Sequence, residues 1–331
     1  MEMTRRDWLG GAVSAAGLAL GAPSAFGQTT PVYPAKDIKA VCTFQPGSRQ
    51  DVFVRFFAER FGAIAGRNMQ VDSRAGKDGN AGTQFVAKAK PDGYTLLIAP
   101  GNETLAVAAV SSKKPGFDPA KDFVPVTALL RTSYAILVNA KSSQKTLADL
   151  TAALKAKAGK GTYGVNTNTT LIAAEHYNKL SGAGASRIRY KDYPSLLNDL
   201  VSSGTTDFIV MDVPRAADQV KNGTLRALAV TGGQRSSALP QVPTVEEAGL
   251  KGYGKIDQWW GVFAPVATPQ AVLDKLETIF NRVAASDEAK AFLANGGADP
   301  FPGSSTALKE LLASENKRWA ELAEQAGVQR E

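Results

Sequence analysis

Ile38-Lys39-Ala40-Val41-Cys42-Thr43-Phe44-Gln45-Pro46-Gly47-Ser48-Arg49-Gln50-Asp51 passes from an apolar strand through a Pro-Gly stop into a helix start. Proline has no N–H for a ladder and glycine turns the chain, so the extended run ends there. A helix then continues through Phe61, with Val52, Phe56 and Phe57 on one apolar face. The same order of strand, turn and helix recurs downstream. Met69 to Asp72 reads as strand, Gly79 to Lys90 as helix, and Tyr94 to Ala99 as strand broken at Pro100-Gly101-Asn102. Further on, Thr162 to Val165, Arg187 to Tyr190, Asp207 to Met211 and Leu225 to Thr231 are strand-like. The helical stretches between them are Leu147 to Lys157, Leu171 to Leu180 and Pro194 to Ser202, and the chain is mostly helical from Pro269 onward. Alternation of this kind is the mark of a parallel α/β architecture.

Ser133 to Asn139 is β-branched and aliphatic without a neighbouring partner, and reads as a strand crossing between lobes. Gln258 to Pro265 reads as the return. The expected organisation is residues 28–131 with 252–331 as one lobe and 132–251 as the other. Ligands of open α/β sheets bind beyond the carboxyl ends of strands, where helix N-termini present free amides. The turns Gln45–Asp51, Pro100–Thr104, Asn166–Thr170 and Asp212–Arg215 are therefore expected to line a cleft.

The chain of 331 residues is 44% hydrophobic and 21% charged, an ordinary globular composition long enough for two lobes. Lys and Arg number 38 against 31 Asp and Glu, a net +7 that favours anionic partners. The basic residues are scattered, which excludes a nucleic-acid stripe. One cysteine, Cys42, excludes an intrachain disulfide or thiolate cage, and in its apolar run it reads as a small buried hydrophobe. The lone His176 reads as structural, and no metal or other cofactor is expected.

Residues 1–27 read as a cleavable export signal with a charged start, a short apolar run to Ala22, and small residues before Gln28. Thr4-Arg5-Arg6-Asp7-Trp8-Leu9 is similar to the twin-arginine signature, which implies a periplasmic destination with cleavage near Gly27.

Six ordered segments carry a resemblance. They are Phe44 to Asp51, Ser73 to Gly82, Pro91-Asp92-Gly93-Tyr94-Thr95-Leu96-Leu97, Leu225 to Thr231, Val242 to Gly249, and Trp260-Gly261-Val262-Phe263-Ala264-Pro265. Together they resemble the substrate-binding proteins of tripartite tricarboxylate transporters, the Bug family, over the whole mature chain. The resemblance implies a two-lobed type II Venus-flytrap receptor with its cleft between the lobes. It would be monomeric and would deliver an organic carboxylate to integral membrane transporter subunits. Hinges near Thr132 and Gly252 are expected. It also implies that backbone amides and ordered water on facing loops hold one ligand carboxylate. This chain departs from the family pattern at Ser48-Arg49, where a second glycine is usual, and at Val165 to Thr169, where two glycines are replaced.

The candidate ligand-binding residues are Phe44, Gln45, Ser48, Arg49 and Asp51 in the first turn and Asn102 and Thr104 in the second. Asn166, Asn168 and Thr169 stand in the third, and Asp212 and Arg215 in the fourth. Arg49 either pairs with a ligand carboxylate or points to solvent, and Arg215 is the second cationic candidate. Asn102, Thr104, Asn166 and Asn168 suit neutral hydrogen bonds and helix capping equally. Asp212 orients neighbours or accepts from a ligand donor, since a carboxylate repels an anion. Trp259 and Trp260 point to opposite faces of a strand, so at most one reaches a ligand. Arg49 and the tryptophans favour a dicarboxylate, aromatic in one version.

Gly159 to Gly164 has Gly-x-Gly-x-x-Gly spacing but leads from helix into strand, the reverse of a dinucleotide site. Gly249 and Gly254-Lys255 miss the P-loop pattern because Ile256 stands where Ser or Thr is required. The leading reading is a binding protein without catalysis. A ligand-presenting accessory to a membrane sensor kinase and a periplasmic enzyme on the same scaffold are the alternatives.

Overall fold

The computed structural model describes residues 33–76, 79–107 and 115–328; the export signal over residues 1–27 lies outside the described residues. The opening motif folds as read. Strand β1 (Ile38–Cys42) feeds helix α1 (Arg49–Ala65), whose first turn is capped by the Ser48 hydroxyl accepting from the Asp51 amide at 3.2 Å. Gly66 closes the helix in the left-handed conformation, donating its N–H to the Gly62 carbonyl. Strands β2 (Met69–Ser73) and β3 (Thr95–Pro100) flank β1 in parallel, in the register Ile38 to Met69 and Ala40 to Leu96. Helix α2 (Asn80–Ala87) connects them, and β3 runs into a π-helical turn over Asn102–Val107.

Strand β4 (Phe123–Asn139) is longer than the Ser133 to Asn139 run expected from the sequence. Pro125 hides the earlier half in the pattern. The strand absorbs that residue by shifting register between Pro125 and Thr127, where a missing N–H does no harm. β4 changes partners along its length. Phe123 to Ser133 pairs with β9 (Asp257–Pro265), and Leu130 and Arg131 also pair with β10 (Asp299–Pro300). Tyr134 to Asn139 pairs instead with β7 (Phe208–Asp212) and β8 (Leu225–Val230). Beyond β7 lie β5 (Thr162–Val165) and β6 (Ser186–Arg189), both parallel in this group. The main strand order is β2-β1-β3-β9-β4-β7-β5-β6.

Helices α3 (Leu147–Ala156), α4 (Asn168–Ser181), α5 (Tyr193–Asn198, continued as a π-helical turn to Ser203) and α6 (Val213–Lys221) accompany the second group of strands. Helices α7 (Gln270–Ala284), α8 (Asp287–Asn295) and α9 (Ser305–Gln325) follow β9. Among the described residues no helix is long and apolar enough to cross a membrane.

Separate apolar clusters fill the two strand groups. Cys42 is buried beside Phe53, Phe57 and Trp260 in one of them, as its apolar setting suggested. Trp259 and Trp260 do point apart, yet both are core. Trp260 packs with Phe44 and Phe53, and Trp259 lies near Phe263. Trp259 also lies so close over Gly101 that an added Cβ would meet its indole at 1.9 Å. His176 is half-buried against Tyr253, with Nε2 3.1 Å from the Tyr253 carbonyl oxygen, and burial lowers its pKa.

Candidate functional site

The carboxyl ends of β1, β3, β5 and β7 converge on a cavity of about 180 Å³. Each of the four turns singled out in the sequence contributes to its wall. Phe44 and Gln50 come from the first turn, Glu103 from the end of the second, Asn166, Thr167, Thr169 and Thr170 from the third, and Asp212 and Arg215 from the fourth. Tyr134 of β4, Gln258 of β9, Tyr193 and Leu196 of α5, and Val210 and Met211 of β7 complete it. Three larger hollows lie among the described residues, about 230 Å³ around Arg131, Lys255 and Asp257, about 260 Å³ around Glu175, His176 and Lys179, and about 580 Å³ along α1 and β2. None of the three has helix N-termini converging on it in the way that α/β ligand sites require.

Local sequence explains how the wall is held. At the start of α4, Thr167 Oγ1 accepts from the Thr170 amide at 3.2 Å while Thr170 Oγ1 accepts from the Thr167 amide at 3.2 Å. This reciprocal cap fixes the turn that carries Asn166 and Thr169. At the start of α6, Asp212 accepts from the Arg215 amide at 3.1 Å and from Arg215 Nη1 at 3.0 Å. The guanidinium also reaches Gln50 Oε1 at 3.5 Å, from the other side of the cavity. Gln258 Nε2 donates to Glu103 at 2.8 Å and reaches the Tyr134 hydroxyl at 3.4 Å. Burial, and then the Asp212 carboxylate, push the Tyr193 phenol up to about 12, and burial, and then the Glu103 carboxylate, raise Tyr134 well above the ordinary phenol value. Both phenols therefore stay protonated as hydrogen-bond donors. The wall offers hydroxyls, amides, one guanidinium and two helix N-termini, a set suited to grasping a small polar ligand.

Of the twelve candidates, Phe44, Asn166, Thr169, Asp212 and Arg215 lie on the wall and the other seven do not. Ser48 caps α1, and the Gln45 carbonyl accepts from the Ser48 amide in the same turn. Asp51 is fully buried and accepts from Gly47 N–H, Ser73 Oγ and Arg55 Nε. Burial works to raise its carboxyl, but those bonds outweigh burial and hold it below the usual carboxylate range. Arg49 neither meets the cavity nor points freely to solvent; its guanidinium pairs with Asp218 of α6. Asn102 is buried and donates to the Asp257 carbonyl at 3.2 Å, Thr104 is buried, and Asn168 accepts from Arg189 at 3.0 Å. Gln50 and Glu103 were missed by a single position in each helix turn. The alternation of β4 and β9 would have marked Tyr134 and Gln258 only once the strands were known to cross beside the turns.

The chain is similar to known proteins along most of its length. The sequence profile described as the tripartite tricarboxylate transporter family receptor matches residues 53–328. A UPF0065 protein of Bordetella bronchiseptica is 33% identical over 313 residues, 94% of this chain and 91% of that one. The structure of R. palustris Rpa4515 with adipate superposes with a TM-score of 0.79 at 28% identity, covering 90% of this chain and 100% of that one. The periplasmic binding protein BugD gives 0.76 at 26% identity, with 90% and 100% coverage. The two-lobed α/β receptor fold expected from the sequence is the fold of these relatives. The chain belongs to the tripartite tricarboxylate transporter receptor family.

Proposed function

We propose that this chain is a periplasmic receptor that captures a small organic acid in the 180 Å³ cavity and delivers it to the membrane subunits of a tripartite transporter. The observation that carries this reading is the meeting of the α4 and α6 N-termini and Arg215 on one wall, facing Gln50 and Gln258 on the other. Helix N-termini and a guanidinium are complementary to a carboxylate. The cavity lies below the ~300–1,000 Å³ of drug-sized pockets, so the acid is small.

The protein acts as a monomer and binds without turning its ligand over. The lobes are 28–131 with 252–331, and 132–251. The partner change of β4 at Ser133 and Tyr134 supports a hinge near Thr132. Export by the twin-arginine route rests on Thr4 to Leu9. The dicarboxylate expected from the sequence is supported by the adipate held in Rpa4515. Arg49 and the two tryptophans give it no support, since Asp218 and the core engage them.

A thermal-shift screen of the signal-free protein against mono- and dicarboxylates tests the reading. A ligand at 100 times its Kd adds about 2.7 kcal/mol of stability, which is readily seen. Stabilisation by at least one acid is expected; a flat panel, with stabilisation only by uncharged or cationic solutes, would refute it.

A further inference from the structure

The basic charge of the chain is unevenly spread. Residues 132–251 hold 14 Lys and Arg against 9 Asp and Glu, +5 of the net +7, and residues 139–162 alone hold five lysines against one acid. The fold gathers these lysines along one edge. β5 and β7 point their carboxyl ends at the cavity, so the starts of β5, β6, β7 and β8 and the end of antiparallel β4 lie at the far end of the sheet. Backbone bonds tie that end together, from the Ala140 N–H to the Thr224 carbonyl at 3.1 Å, from Asp207 to Thr162 at 3.1 Å and from Ser186 to Gly161 at 2.7 Å. Five strands about 4.8 Å apart make this edge about 20 Å long.

Lys141 and Lys145 stand in the turn after β4. Arg226 builds that turn, donating to the carbonyls of Ala140, Ser142 and Gln144 at 2.7, 2.9 and 3.0 Å. Lys155 ends α3, Lys157 and Lys160 stand in the turn into β5, and Lys221 ends α6 just before β8. All six lysines are exposed. The acids beside them are engaged. Asp149 accepts from the Lys145 and Thr146 amides, Asp207 pairs with Lys157 and accepts from the Thr162 amide, and Asp199 accepts from the Tyr190 hydroxyl. Among the described residues no aromatic side chain is fully exposed, here or elsewhere.

A lysine is a compact point charge on a flexible stem and lacks the fork that matches a single carboxylate. Protein interfaces are anchored by aromatic and arginine side chains packed into pockets, whereas this edge is dominated by lysine. Such a cluster suits a diffuse sheet of negative charge, on which each lysine is worth about fivefold in binding. We propose that this edge is a docking surface for an anionic phospholipid bilayer. It holds the protein at a membrane whatever fills the cavity.

The test is co-sedimentation of the signal-free protein with vesicles of phosphatidylcholine, alone or with about one-third phosphatidylglycerol. Binding to the anionic vesicles only is expected, and it should be lost as salt rises from about 0.05 M to about 0.5 M. Replacing Lys141, Lys145, Lys155 and Lys160 together by Gln should weaken binding at least about tenfold. The same net charge removed from Lys88, Lys90, Lys275 and Lys309 should change it by no more than about twofold. Equal losses in the two variants overturn the proposal, because net charge alone then accounts for binding. Absence of binding to anionic vesicles also overturns it and leaves an acidic protein face as the partner. Equal binding to neutral vesicles does so too. Amine-reactive labelling of the unaltered protein gives an answer even where a variant fails to fold. Anionic vesicles should protect Lys141, Lys145, Lys155 and Lys160 more than Lys88 and Lys309, and the reverse order refutes the assignment.

Discussion

Arg49→Ala separates two roles for a cation next to the cavity. In the structure the guanidinium pairs with Asp218, joining the α1 side of the cavity to the α6 side, next to the Gln50 to Arg215 contact. The two side chains are 30% and 54% exposed, so water and salt screen the pair. Exposed pairs are worth about 0.2–1 kcal/mol, which is no more than about a fivefold change in an equilibrium constant. A guanidinium pairing directly with a buried ligand carboxylate would instead cost about 2–5 kcal/mol on removal. The expected result is therefore a loss of acid affinity no greater than about fivefold, shared by Asp218→Ala. The double variant should be little worse than either single one, since both remove the same contact. The charge swap Arg49→Asp with Asp218→Arg should recover most of the loss, and added salt should erase the difference. Titration calorimetry on the four variants decides it. A thirtyfold or larger loss in Arg49→Ala that Asp218→Ala does not share would refute the pairing as its role.

Arg215→Ala should weaken acid binding by at least about tenfold, because a charge-assisted contact and the neutraliser of Asp212 are lost together; titration showing unchanged affinity would contradict this. Gly101→Ala places a methyl 1.9 Å from the Trp259 ring and should cost about 1–3 kcal/mol, read as a lower urea midpoint. Asp51 gives a pH dependence of known sign. Its folded pKa lies below its unfolded one, so its contribution is full above the unfolded value and lost as pH falls through the folded value. Asp51→Asn should flatten the acid-side fall in unfolding temperature, and an unaltered slope would show that the network is not what holds it.

The strand and helix order was legible because hydrophobic periodicity and Pro-Gly stops are local signals. The stretch around Ile38 to Phe61 shows this, with β1, the Ser48 cap and α1 following from adjacent residues. The four turns were legible for the same reason, but not which side chain of each faces inward. One helix position separates Arg49, which meets Asp218, from Gln50, which meets the cavity. The partner of Arg49 lies 169 residues away, beyond any local pattern. Tyr134 and Gln258 enter the wall because β4 and β9 run side by side, a pairing that only the tertiary fold supplies. Asp51 is a candidate because it stands in the first of the four turns; its burial and its bonds to Arg55, Ser73 and Gly47 are not visible in any local pattern.

A crystal structure of the protein with the acid that stabilises it most is the direct measurement. The expected result is ligand density in the cavity, with a carboxylate within hydrogen-bond distance of Arg215 or the Asn166 to Thr170 turn. Density for that acid in the hollow around Arg131, Lys255 and Asp257, with this cavity empty, would contradict it.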